Sequence, residues 1–129
     1  VDACARMRSN CYRKTAVEAA TPIERVIMLY DGALRFAADA RTATERRDIA
    51  SRGAAASRLL AIVGELQATL DMERGGAVAE SLDRLYSFVT GRIMEAAFTQ
   101  SVGPLDEAIG VLSSLREGWV GIAAQSSEQ

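Results

Sequence analysis

The sequence predicts an all-α fold: an antiparallel, up-down-up-down four-helix bundle preceded by an N-terminal arm. Three observations carry that prediction. Four stretches of about twenty residues place apolar side chains at alternating three- and four-residue spacing, the period of a helix with one buried face. The breaks between these stretches are short, which suits antiparallel neighbours and little else. Composition agrees: 49% of residues are hydrophobic but only 5% aromatic, alanine is the commonest apolar residue, and both prolines stand where helices begin. Such a chain favours closely packed helices over sheets.

Residues 1–20 carry little periodicity and are read as an arm around one large aromatic, Tyr12. Cys4 and Cys11 lie in it. On a helix they would stand roughly 10 Å apart, beyond disulfide reach, so free thiols in a reducing compartment are expected. The first helix, over residues 21–44, opens with Thr21 as N-cap, Pro22 at the first helical position and Glu24 completing a T-x-x-E capping box. Its apolar residues form two seams. Ile23, Ile27, Tyr30, Leu34 and Ala37 make one, and Val26, Leu29, Ala33, Phe36 and Ala40 make a second, rotated around the same helix. A helix with one wet face has no use for the second, so either it is surrounded by neighbours or one seam faces a groove that something else fills.

The charged run Glu45 to Asp48 makes a turn with Asp48 as the next N-cap. The second helix, residues 49–70, repeats in heptads through Ile49, Ala56, Val63 and Leu70 and through Arg52, Leu59 and Leu66, while Gly53 and Gly64 suggest close approach of another backbone. Asp71 to Gly76 is expected to stop it, with Gly75 and Gly76 free to take positive φ. The third helix, residues 78–100, turns Val78, Leu82, Leu85, Val89 and Ile93 inward, with Tyr86 and Phe88 on other faces, again a wider apolar surface than a core requires. Gly103-Pro104 restarts the chain into a fourth helix, residues 105–124, carrying Leu105, Ala108, Leu112, Leu115, Trp119 and Ile122 in register. Residues 126–129 read as a frayed tail.

Chemistry is bounded by what is missing. The chain has no histidine. A phosphotransfer bundle would lack its acceptor, a haem bundle its usual ligand and a di-iron bundle its E-x-x-H motifs. Two cysteines make a poor zinc set and no phosphate-binding loop is present, so neither cofactor nor metal is expected. Acidic pairs such as Asp106 with Glu107 sit at helix ends, where capping and dipole effects account for them. Net charge is −2, without the basic footprint of a nucleic-acid binder. No run is long and apolar enough to insert in a membrane, and no signal-peptide pattern opens the chain, so a soluble cytoplasmic protein is expected.

With these residues in view, the chain resembles the flagellin-specific secretion chaperones of the bacterial flagellar export system. The resemblance runs from Tyr12 to Trp119. Its motifs are the arm tyrosine in CYRKTAVEAATP, Leu29-Tyr30-Asp31-Gly32 in the first helix, LDMERGG from Leu70 to Gly76, Leu85-Tyr86 in the third, and Leu115-Arg116 with Trp119 in the fourth. It implies a bundle that binds the disordered C-terminal segment of flagellin in the cytoplasm, prevents early polymerisation, and is received by the cytoplasmic domain of the export gate. It also implies that the arm around Tyr12 occupies part of the client groove until displaced. The arginine- and cysteine-rich arm and Gly91 depart from the family's usual pattern. On this reading the client groove involves Val26, Leu29, Ala33, Phe36, Asp71 and Tyr86, with burial against neighbouring helices as the alternative for the apolar ones. A chaperone should be a monomer or weak dimer. The competing class is a self-associating helical scaffold, in which the surplus seam meets a second copy.

Overall fold

The computed structural model describes residues 18–127. Four helices follow one another: α1 (Pro22–Glu45), α2 (Ile49–Ala68), α3 (Met72–Thr99) and α4 (Gly103–Ser127). Three residues join each pair, 46–48, 69–71 and 100–102, so consecutive helices run antiparallel. Packing closes a ring in which α1 meets α2, α2 meets α3, α3 meets α4, and α4 returns to α1. The described residues form the four-helix bundle that the periodicity predicts. The arm with Tyr12, Cys4 and Cys11 lies outside them.

Local chemistry sets the helix starts. The Thr21 hydroxyl accepts from the Glu24 N–H at 3.2 Å while the Glu24 carboxylate accepts from the Thr21 N–H at 3.4 Å, a reciprocal capping box with Pro22 behind it. Asp48 caps α2 by accepting from the N–H and hydroxyl of Ser51, and those bonds hold its carboxyl below the usual carboxylate range. The turn into α2 puts Arg47 in the left-handed region at φ 58.

The core draws on both seams of α1. Tyr30, Ala33, Ala37, Ala40 and Ala43 are buried, while Ile23, Ile27 and Leu34 are half-buried. The small side chains let neighbours close in, and Leu59, Val63, Leu66, Val89, Ile93, Leu105 and Leu112 fill the space between. At Gly32 the side chain of Ile62 from α2 packs directly on α1, since a Cβ there would lie 3.2 Å from Ile62 Cδ1. Gly53 and Gly64, expected to mark backbone contact, face open space instead. On the other flank of α1, Arg41 Nε donates to Asp106 Oδ1 at 2.7 Å and Arg116 pairs with Asp31, pinning α4.

In α3 the inward face is Ala79, Tyr86, Val89, Ile93 and Ala96. Val89 and Ile93 are buried as expected and Leu82 packs partly buried against the core, but Val78 is 69% exposed, and Tyr86, expected on another face, is 1% exposed. The reason for the burial of Tyr86 is polar. The Tyr86 and Tyr30 hydroxyls meet at 2.6 Å in the interior, so each large ring can be buried without stranding its oxygen. Burial raises both phenol pKa values; at Tyr30, hydrogen bonds from Tyr86 and the Trp119 indole oppose the rise, whereas at Tyr86 the Tyr30 hydroxyl adds to it.

Tyr30→Phe should cost about 1–3 kcal/mol in urea unfolding because it leaves the Tyr86 hydroxyl buried and unpaired. Tyr86→Phe should also cost stability, since it removes the 2.6 Å partner of the Tyr30 hydroxyl, and the double Phe variant should be more stable than the summed single losses. Both folded-state phenol pKa values are raised, so the stability the pair contributes is present below about pH 10, where unfolded tyrosine ionises, and declines above it. The double variant should lose less stability in that alkaline range. Additive single losses would mean the hydroxyls do not act as a pair.

Candidate functional site

At the end of the bundle where α3 begins, the chain leaves a cleft of about 440 Å³. Its walls are Val26 from α1, Leu66 and Leu70 from the end of α2, Val78 and Leu82 from α3, and Trp119 from α4, with Tyr86 at its base. Asp71, Arg74 and Gly75 form the rim. The chain enters α1 at this same end: Ala20 is buried and the Arg25 guanidinium donates to the Glu18 carbonyl at 3.5 Å.

The rim is shaped by backbone chemistry. Asp71 is the N-cap of α3, accepting from the Arg74 N–H at 3.1 Å. A turn of helix from Met72 to Gly75 precedes a break at Gly76, whose φ of 53 and ψ of −131 are closed to residues with a side chain. The LDMERGG stretch therefore both ends α2 and starts α3 early, where the glycine pair had suggested only a stop. Gly75 is needed for another reason, since a Cβ there would lie 2.5 Å from Ala79 Cβ. The two glycines fold the first turn of α3 over the cleft mouth.

One turn further along the same seam, α3 and α4 diverge again. Leu85, Phe88, Gly110, Val111, Ser114 and Leu115 line a second opening of about 610 Å³. The Arg92 to Glu107 ion pair at 3.5 Å stands at its far end. Leu115 lies one turn from Trp119 on α4, and Leu85 lies next to Tyr86 and three residues from Leu82 on α3. The first opening thus lies at the end of the bundle among all four helices, and the second follows it along α3 and α4. From Gly75 to Phe88 the track is about 20 Å long, the length of a helix of roughly thirteen residues.

The structure divides the six groove residues expected from sequence. Val26, Asp71 and Tyr86 come together in the first cleft. Ala33 is fully buried in the core, which removes it from any surface because α1 turns its small residues inward. Leu29 and Phe36 are half-buried on the flank of α1 that also carries Gly32, toward α2, and line neither opening. Sequence reasoning passed over Val78, Leu82, Phe88 and Val111 as binding candidates, although the over-wide apolar face of the third helix was their signal. Among the described residues no group of three or more acidic, cysteine or histidine side chains is placed to hold a metal ion, and no helix is long and apolar enough to cross a membrane.

An α-helical bundle that displays a long apolar track along one edge has the form of a module that holds a peptide or helix in a groove. The family comparison is specific: the model for the flagellar protein FliS matches residues 5–126, and the chain belongs to that family. It is 36% identical over 116 residues to the flagellar secretion chaperone FliSB of Pseudomonas aeruginosa, covering 87% of this chain and 92% of that one. With the flagellar secretion chaperone FliS of Salmonella typhimurium it shares 33% identity, covering 90% and 87%. The Bacillus subtilis chaperone of the same name is 30% identical, with 85% and 81% covered.

Gly76→Ala should destabilise the protein by about 1–3 kcal/mol because alanine must adopt a glycine conformation. Gly53→Ala, at an exposed helical position with open space around it, should instead gain up to about 1 kcal/mol. Chemical denaturation of both variants checks this, and equal effects would mean that the break at Gly76 is not held in solution.

Proposed function

We propose that this chain is a cytoplasmic export chaperone that binds the disordered C-terminal segment of flagellin, keeps it from polymerising, and presents it to the cytoplasmic domain of the flagellar export gate. The observation that carries this reading is the apolar track along α3 and α4, in a chain belonging to a family of secretion chaperones. A disordered client loses conformational entropy on binding, so affinity needs a long contact surface more than one deep pocket. The track offers Val78, Leu82, Leu85, Phe88, Val111 and Leu115 as that surface. Val26, Asp71 and Tyr86 form its closed end, and an ordered client helix would seat its i, i+3/i+4, i+7 apolar residues along it. The free protein is read as a monomer or weak dimer whose track is available to the client.

The test uses residues that are exposed and outside the core. Val78→Asp and Phe88→Asp, at 69% and 48% exposure, should leave the melting temperature unchanged. Each should weaken calorimetric binding of the flagellin C-terminal segment roughly tenfold, about 1.4 kcal/mol. Phe98→Asp, 87% exposed beyond the track, should bind as the parent does. Parent-like binding by all three variants would exclude the track, and a stable dimer without client binding would favour a self-associating scaffold.

The arm is read as a competitor for the closed end. Tyr12 lies outside the described residues, but the chain reaches α1 beside the cleft, and a side chain docked there would reduce the competent fraction. Tyr12→Ala should therefore accelerate association of the same segment in stopped flow. An unchanged rate would dismiss the competing arm and leave client binding untouched.

A further inference from the structure

On the edge where α1 meets α2, opposite the α3 and α4 track in the ring, two exposed arginines converge on one aromatic ring. The Arg35 guanidinium carbon lies 5.0 Å from the centroid of Phe36, and that of Arg58, on the neighbouring helix, lies 5.6 Å from it. Neither takes part in the ion pairs of the described residues, which use Arg41, Arg74, Arg92 and Arg116. Asp31, one turn before Arg35, is engaged by Arg116. Asp39, one turn after Arg35, has the acid C-terminal to the base, the weaker order for a helical pair. Arg58 has alanines or Ile62 at every three- and four-residue neighbour. In a chain of net charge −2, this places two uncommitted positive charges side by side over a half-buried ring.

We propose that Arg35, Phe36 and Arg58 form a docking site for an acidic segment of a partner protein. The guanidiniums take Asp or Glu carboxylates in charge-assisted hydrogen bonds, and an apolar side chain of the segment covers Met28 and the exposed part of Phe36. Stacking on Phe36 restrains both arginine side chains before anything binds, so less rotamer freedom is lost on docking. The close approach of α1 and α2 at Gly32 and Ile62 makes the platform stiff. The surroundings select a peptide over a nucleic acid. Asp39 flanks Arg35 and Glu65 lies two turns beyond Arg58, so a continuous phosphate backbone would run into like charge at both ends, whereas a short acidic segment fits between them. The site lies on the edge away from the client track and is independent of the reading of that track, so one molecule has room for both partners.

The probe is a pair of fluorescein-labelled alanine-based helical peptides, one carrying two Glu residues four apart with a Leu between them, the other with both Glu replaced by Gln. Anisotropy titrations of the full chain should give at least about fivefold tighter binding of the Glu peptide at roughly 50 mM salt, with the preference largely gone at about 300 mM. The preference should vanish in R35Q/R58Q, whose melting temperature and binding of the flagellin segment should match the parent. Prior saturation with the flagellin segment should leave it intact. Equal binding of the two peptides, binding of neither, or a preference that survives R35Q/R58Q overturns the proposal. So does tighter binding of a short DNA duplex than of the Glu peptide, which would mark a general polyanion patch. Because the client titration runs on the same samples, failure of the track and failure of this site are read separately.

Discussion

The bond between the Tyr30 and Tyr86 hydroxyls at 2.6 Å holds together two helices that do not pack side by side. Helices α1 and α3 stand across the bundle from one another, and the two phenols reach over its centre to meet. The described core is otherwise apolar, and apolar contacts tolerate sliding because they are non-directional. A buried hydrogen bond does not, since shifting α3 by one residue would part the two hydroxyls and leave that of Tyr86 buried without a partner. This one contact therefore fixes the rotation of α3, and with it which residues of α3 look outward. Phe88 faces outward on this rotation, whereas Val78 shares the face of buried Ala96, about five turns further on, and is exposed because it lines the open cleft at the end of the bundle.

That rotation decides where the bundle is tight and where it is open. Alanines at 33, 37, 40 and 43 of α1 bring the neighbouring helices close, and the approach to α2 at Gly32 leaves no gap. The α4 flank of α1 is fastened by the Arg41–Asp106 and Arg116–Asp31 pairs, exposed contacts that orient more than they stabilise. Along α3 and α4 the facing residues are larger and fewer reach inward, so leucines, Phe88 and Trp119 line space without filling it. Closing this edge would need further apolar side chains from elsewhere. In the proposed function a disordered client supplies them in trans, so that the free bundle is folded and still has something to bind.

What was legible in the sequence was what local chemistry decides. The capping box at Thr21, the cap at Asp48 and the apolar period of each helix act within a few residues, so their consequences can be read directly. The burial of Tyr86 in α3 could not be read this way. Val78 and Leu85 are better hydrophobes than Tyr86, and counting them inward ahead of it is the natural reading until Tyr30 is known to offer a hydroxyl from across the bundle. The same holds for the groove residues. Val26, Asp71 and Tyr86 line one cleft, and no local signal in the sequence marks them as neighbours. Ala33 and Phe36 were placed by the second seam of α1, which divides between the core and the α2 flank. A seam on a helical wheel gives a direction, and only the neighbours give it a destination.

A chaperone that must hand its client to a machine has two tasks that interfere if they share a surface. Holding needs a long apolar contact, and recognition by a second protein needs a surface that the client does not cover. The proposed arginine site keeps them apart, because Arg35, Phe36 and Arg58 line neither opening of the track. The chemistry of the two edges differs in the same sense. Apolar burial is slow to discriminate among partners but accumulates affinity along a chain, whereas exposed guanidiniums contribute little lasting affinity but accelerate encounter and respond to the charge of what approaches. Arg35 and Arg58 thus stand where a transient contact can form while the opposite edge remains occupied, and the stiff small-residue packing between α1 and α2 keeps that edge unchanged whether or not the track is filled.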